Sequence, residues 1–217
     1  MIDACVHHAH AAVNVLFSDD AVVVVDKPAG QLAVPGRGEE KADCTWARVR
    51  ARWPDALVVH RLDQATSGLM LFARGLAVQR VLSRAFAERR VDKRYVAVVH
   101  GVLADDEGCI DLPLAADWPQ RPRQRVDYHA GKPSTSGYRV LQRDPGARRT
   151  RVALHALTGR THQLRVHLAA IGHPIVGDAL YGWAQEPAGR LLLHAERLGF
   201  QHPVDGRPLQ LFRSCPF

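Results

Sequence analysis

Asp63 is the residue of this sequence best placed to do chemistry. It stands in HRLDQATSG (60–68), two positions after Arg61. In an extended segment that spacing sends both side chains to one face. An arginine beside a partly buried carboxylate favours its ionised form, and an ionised carboxylate in a cleft serves as nucleophile or base. The same residues also satisfy an Asx turn or a helix cap, so spacing alone leaves both readings open. Thr66, Ser67 and Gly68 read as a tight turn, with Thr66 or Ser67 able to support Asp63 by a hydrogen bond. His60 opens the polar run.

Three other runs gather polar groups. In TGRTHQLRVH (158–167), Arg160, His162, Gln163 and Arg165 cluster at the start of a predicted helix, where an anion is favoured. Arg165 also fits an ordinary solvated helix position. The histidines here (His162, His167, His173) form no HxxxH or HExxH pair, so no metal site is expected. Lys93 and Arg94 precede Tyr95, a pattern suited to stacking on a base while cations meet phosphates, or to a core tyrosine on a strand. Arg121, Arg123 and Arg125 alternate beside Trp118 in DWPQRPRQR (117–125). Such a run tracks a sugar-phosphate backbone or forms a solvated basic loop.

The elements that must position these groups can be read from periodicity and breakers. Residues 21–30 read as a buried strand ended by Pro28 and Gly30, and 57–60 and 69–74 as strands flanking the Asp63 loop, a buried hairpin. Strands are also predicted over 93–101, 137–143, 149–157 and 191–200. Helices are predicted over 45–53, 76–90 and 161–172, the second presenting Val78, Val81, Leu82, Ala85 and Phe86 on one face. Strands outnumber helices and do not alternate with them one to one. That pattern predicts an α+β domain on a mixed, largely antiparallel sheet flanked by helices and loops.

The 217 residues suffice for a sizeable core, and 47% hydrophobic with 24% charged residues is an ordinary globular balance. A net charge of +7 and a pI near 9.7, carried mostly by arginine, point to a polyanionic partner, RNA or DNA first. Four scattered cysteines without a CxxC pair argue against a zinc ribbon or disulfide framework and fit a reducing cytosol. There is no apolar run of membrane-spanning length, and MIDACVHHAHAAVN lacks the features of a signal peptide. Residues 1–14, with His7, His8 and His10, read as a poorly ordered leader, and 15–217 as one domain.

Together, HRLDQATSGLMLFAR, VVVDKPAG, KRYVAVVHG, TGRTHQLRVHLAAIGHPIVGDALYG and LLLHAERLGFQHP resemble the RluA family of pseudouridine synthases, in the same order, over about residues 15–203. VPGRGEE, DLPLAADWPQRPRQ and AGKP resemble the dual-specificity branch of that family. The resemblance implies the pseudouridine synthase catalytic fold with no S4 domain ahead of it. It makes Asp63 the carboxylate that attacks the target uridine, at ribose or uracil, before the base is rejoined through C5. Tyr95 is then the tyrosine that packs on that base, Arg165 the arginine paired with Asp63, and Arg61 the residue that enters the stack in place of the flipped nucleotide.

His60, Thr66, Lys93, Arg121, Arg123, Arg125, Arg160, His162 and Gln163 are expected to bind the RNA. The expected substrates are a tRNA anticodon stem-loop, at its first loop uridine, and a domain II hairpin of 23S rRNA. No cofactor, metal, DNA or membrane partner is expected, and a cytoplasmic monomer is. Two other readings compete: an RNA chaperone, which has no need of Asp63, and a carboxylate-dependent glycoside hydrolase, which wants a second acid across the substrate. No such acid stands out near these motifs.

Overall fold

The computed structural model describes residues 13–183 and 189–217. Its strands are β1 (Asn14–Ser18), β2 (Val22–Lys27), β3 (Ala56–Val58), β4 (Ser67–Arg74), β5 (Asp92–His100), β6 (Glu107–Asp111), β7 (Leu114–Ala116), β8 (Gln124–Val126), β9 (Thr135–Asp144), β10 (Arg149–Ala156), β11 (Leu193–Gln201) and β12 (Pro208–Phe212). The helices are α1 (Thr45–Arg52), α2 (Leu76–Ala87) and α3 (Gln163–Ala170), with a short 3-10 turn at Glu39–Lys41. Ten strands form one sheet in the order β1-β2-β4-β11-β5-β10-β9-β6, with β3 beside β4 and β12 beside β11. β7 and β8 make a separate hairpin. Within the large sheet β4 and β11 pair in parallel, and the other pairings are antiparallel. The mixed, largely antiparallel α+β architecture is the one the sequence pattern predicts.

The apolar run of β2 explains why this end of the sheet is covered on both faces. A strand turns alternate side chains to opposite sides. Val22 and Val24 pack with Leu69, Leu71 and Leu82 of α2, whereas Val23 and Val25 pack with Met70, Phe72 and Val49 of α1. β4 is accordingly buried from Ser67 to Ala73. A third cluster at the other end joins Ala97 and Val99 of β5, Val152 and Leu154 of β10, and Leu164 and Leu168 of α3.

Several boundaries differ from the sequence expectation. α2 stops at Ala87 rather than residue 90, because Arg89 adopts a left-handed φ of 59° that turns the chain out of the helix. Val81, expected inward, is 45% exposed, while Leu82 and Ala85 are buried and Val78 and Phe86 pack against the core. α3 starts at Gln163 because His162 before it has a left-handed φ of 54°. The short strands β1, β6, β7, β8 and β12 carry patterns too brief to stand out in sequence. His7, His8 and His10 of the expected leader lie outside the described residues.

Candidate active site

The Asp63 loop joins β3 to β4, and its backbone is fastened on three sides. Thr66 N–H donates to the Asp63 carbonyl at 3.1 Å, closing a turn. Gly30 N–H donates to Gln64 O at 2.8 Å, and Gln64 Nε2 returns a bond to Gly30 O at 3.0 Å. Beneath them the Lys27 ammonium, wholly buried, donates to Pro28 O, Gln31 O and Gln64 O at 2.8, 2.7 and 3.0 Å. Burial pushes Lys27 down to about 8, opposed by the charges of Asp63 and Asp26.

On the β4 side, Ser67 Oγ lies 2.9 Å from His194 Nδ1 of β11. Gly68, with φ 114°, approaches β11 so closely that a Cβ there would sit 2.3 Å from Ala195 O. Only glycine fits both constraints.

Around the carboxylate the partners are not those adjacent in sequence. Arg61 is exposed. Arg165, one turn into α3, brings Nη1 to 3.5 Å from Asp63 Oδ2, and His162 brings Nε2 to 4.0 Å from Oδ1. Arg165 spends its two strongest bonds elsewhere: Nε and Nη2 donate to Asp178 Oδ2 and Oδ1 at 2.8 and 2.7 Å. The two side chains are 5% and 0% exposed, so this bidentate pair lies inside the protein.

Burial opposes both charges of the pair, yet each partner's hydrogen bonds and charge outweigh it. Arg165 is therefore raised and Asp178 lowered, the latter aided by Leu180 N–H and Tyr181 N–H. Arg165 is a fixed cation, held by Asp178 and presented to Asp63 without a hydrogen bond that would occupy the carboxylate. Asp63 keeps its lone pairs for a substrate.

Tyr95 stands on β5 opposite Leu154 of β10 and Ala195 of β11. Burial, then the charge of Asp63, push its phenol up, so the ring faces the site as a neutral donor. Lys93, two residues earlier on the same face, is half-buried and lies 5.8 Å above the Phe86 ring. Asp63, Thr66, Tyr95, Arg160, His162 and Arg165 all line one cavity of about 80 Å³. It shares Lys93, Thr158 and Arg160 with a cleft of about 630 Å³ that runs on past His60 and His155.

The remaining predicted residues separate into two groups. His60 stacks on Phe86 at 4.7 Å, and its Nε2 accepts the Leu71 N–H at 2.9 Å. Burial and the nearby Lys93 hold it down to about 3, so it is neutral. Gln163 is 4% exposed and fully bonded: Oε1 accepts from Thr158 Oγ1 and Arg160 N–H, and Nε2 donates to Thr135 O and Ser136 Oγ. Both groups are committed to the scaffold. Thr66 lines the cavity but is 3% exposed, and its backbone rather than its hydroxyl holds Asp63.

Arg121, Arg123 and Arg125 lie on or near the β7–β8 hairpin, with Arg121 3.3 Å from the Trp118 ring and Arg123 5.5 Å from that of Tyr181. Arg125 pairs with Asp127 at 2.9 Å. Arg160 reaches only long contacts of 3.4 Å with Pro133 O, so its guanidinium is largely uncommitted.

Three residues of the site were missed in the sequence: Lys27, Asp178 and Tyr181. Lys27 was visible as a cation ending an apolar run, and Asp178 and Tyr181 as polar residues in IVGDALYG. Among the described residues no cluster of ligands able to hold a metal ion is present, and no helix is long and apolar enough to cross a membrane.

A carboxylate lined by an aromatic ring and a buried arginine, within a cationic cleft on this sheet, defines the class: the chain belongs to the RNA pseudouridylate synthase family, whose profile matches residues 21–170. More narrowly, it is 50% identical to the dual-specificity RNA pseudouridine synthase RluA of Yersinia pestis, over 94% of this chain and 99% of that one. The protein of the same description from Escherichia coli K12 is 48% identical, over 94% and 93%. Among solved structures, human RNA pseudouridylate synthase domain containing 1 is similar with a TM-score of 0.78 and 29% identity, covering 94% of this chain and 84% of that one. The protein is therefore an isomerase acting on RNA.

Proposed function

We propose that this enzyme converts the first uridine of a tRNA anticodon loop and a uridine in a domain II hairpin of 23S rRNA to pseudouridine, with Asp63 as the attacking carboxylate. The observation that carries the assignment is the state of Asp63: it lies 3.5 Å from a buried, permanently charged Arg165 and is 25% exposed at the cavity. Relatives about half identical over nearly the whole chain are named for dual specificity, which supports two RNA classes as substrates.

Asp63 forms a transient bond to the ribose or the uracil ring that breaks again before release, and over the reaction the bond from ribose C1′ to uracil N1 breaks and one from C1′ to C5 forms. The C5 proton leaves to solvent and N1 takes one up. A stacked nucleotide must first be flipped out, which costs a few kcal/mol, and in this reading Arg61, which is exposed, fills the gap. Tyr95 packs on the flipped base, while Lys93, Arg160 and the hairpin arginines meet phosphates.

The test is tritium release from RNA labelled at uridine C5, using a tRNA anticodon stem-loop and a 23S domain II fragment. Wild type should release tritium from both, and Asp63→Asn from neither, while still binding them. Release by Asp63→Asn at the wild-type rate would end the assignment of Asp63, and release from only one RNA would end the dual assignment.

A further inference from the structure

Tyr181 lies where the β7–β8 hairpin, the α3 N-terminus and the Asp178 turn meet. Its hydroxyl accepts the Gln124 N–H of β8 at 2.7 Å and lies 2.8 Å from His162 Nδ1. Its ring meets the His162 ring edge-on at 5.7 Å, and the Arg165 guanidinium lies 5.1 Å from the centre of the same ring. Its own N–H donates to Asp178 Oδ1 at 3.1 Å. One side chain therefore touches the basic hairpin and both residues that flank Asp63.

The hydrogen atoms follow from these contacts. His162 Nε2 faces Asp63 Oδ1 at 4.0 Å, too far for a hydrogen bond, but beside a carboxylate an N–H at that position is favoured electrostatically over a lone pair. A neutral imidazole has one N–H, so Nδ1 is then an acceptor. The phenol hydrogen is the donor available to it, because the Gln124 N–H occupies only an oxygen lone pair. Burial, assisted by Arg165 and Arg61 and opposed by Asp63 and Asp178, lowers the pKa of the ring and so favours its neutral form. The left-handed backbone at His162 fixes where the ring points. His162 on the Oδ1 side at 4.0 Å and Arg165 on the Oδ2 side at 3.5 Å thus act on the two carboxylate oxygens through charge and dipole rather than direct hydrogen bonds.

We propose that Tyr181 is a positioning residue whose hydroxyl, anchored by the backbone of the β7–β8 hairpin, fixes the His162 tautomer that turns an N–H toward Asp63, so that the hairpin's seating on RNA is registered at the nucleophile. This rests on the assignment of Asp63 above.

The test uses the full chain and the tRNA stem-loop. Tyr181→Phe keeps the ring and removes the hydroxyl, a loss of about 1 kcal/mol that corresponds to a roughly fivefold fall in kcat. KM should hold. In a His162→Ala background the same substitution should change nothing further. In 15N spectra of histidine-labelled protein, His162 should show a protonated Nε2 and a bare Nδ1, and Tyr181→Phe should mix the two tautomers.

Should Tyr181→Phe fold poorly, Gln124→Pro deletes the N–H that anchors the phenol and should also lower kcat. An unchanged kcat in the folded variant, a loss confined to KM, or a penalty that persists without His162 would overturn the proposal. Asp63→Asn, measured alongside, judges the underlying assignment by itself, since turnover there would refute it whatever Tyr181 does.

Discussion

Replacing Asp178 by asparagine should damage both stability and turnover, for separable reasons. Asp178 and Arg165 are 0% and 5% exposed and joined by two bonds of 2.7 and 2.8 Å. Removing the charge from one member of such a pair strands the other, at a cost of about 3–5 kcal/mol. Asparagine can still accept the Leu180 and Tyr181 N–H bonds through its oxygen, but its amide then faces Arg165 Nε donor to donor. Arg165→Met should cost a similar amount by stranding Asp178, while the double variant leaves no buried charge unpaired. The cycle should therefore be far from additive, with a coupling of about 2 kcal/mol or more.

Turnover should fall for a different reason. With Asp178 neutral, the remaining carboxylate within reach of Arg165 is Asp63, now 3.5 Å away. That contact should close into a direct hydrogen bond and tie up the lone pairs of the nucleophile. A fall in kcat of about tenfold corresponds to roughly 1.4 kcal/mol and is the least expected. Urea denaturation of the four proteins gives the cycle, and tritium release well below each melting point gives kcat. Additivity within about 0.5 kcal/mol, or wild-type turnover in Asp178→Asn, would refute the reasoning.

Gly68→Ala should be among the most damaging single-methyl changes, at about 3 kcal/mol or more, because the new carbon would lie 2.3 Å from Ala195 O. Gly30→Ala, also at positive φ but with nothing within 4 Å, should cost only about 1–2 kcal/mol; similar urea midpoints for the two would sink that distinction. Stability should also fall as the pH drops below about 6.5. His60 is held down to about 3 in the folded protein, so the unfolded chain binds its proton first. That group alone removes about 1.6 kcal/mol between pH 6.5 and 5, and His162, His167 and His194, all lowered chiefly by burial, act in the same direction. His60→Gln should flatten the slope of urea midpoint against pH; an unchanged slope would exclude His60 as its source.

What the sequence makes legible is what depends on local pattern. The alternating faces of β2 and β4, the amphipathic turns of α2 and the polar Asp63 loop with Thr66, Ser67 and Gly68 at its end all follow from spacing, and the family motifs mark Asp63, Tyr95 and Arg165. Partnership is harder to read. Arg61 sits two residues from Asp63, yet Arg165, a hundred positions on, is the cation that reaches it. Asp178 pairs with Arg165 through a turn whose geometry no periodicity encodes. His60 and Gln163 have the residue types of RNA contacts, but His60 Nε2 is taken by the Leu71 N–H, and both amide atoms of Gln163 are taken by Thr158, Arg160, Thr135 and Ser136. Satisfaction of a buried polar group is a property of the folded neighbourhood, and residue type alone does not reveal it.

The parallel contact of β4 with β11 has a consequence for the order of events at birth. Ser67 and His194, whose side chains join the two strands, are 127 positions apart. At about 5–20 residues per second, translation delivers the second roughly 6 to 25 seconds after the first. Through that interval the Asp63 loop can close on β2 and β3 but lacks the strand that Gly68 is shaped to meet. Arg165 and Asp178 also emerge late. The nascent chain therefore has no assembled catalytic centre until β11 has left the ribosome.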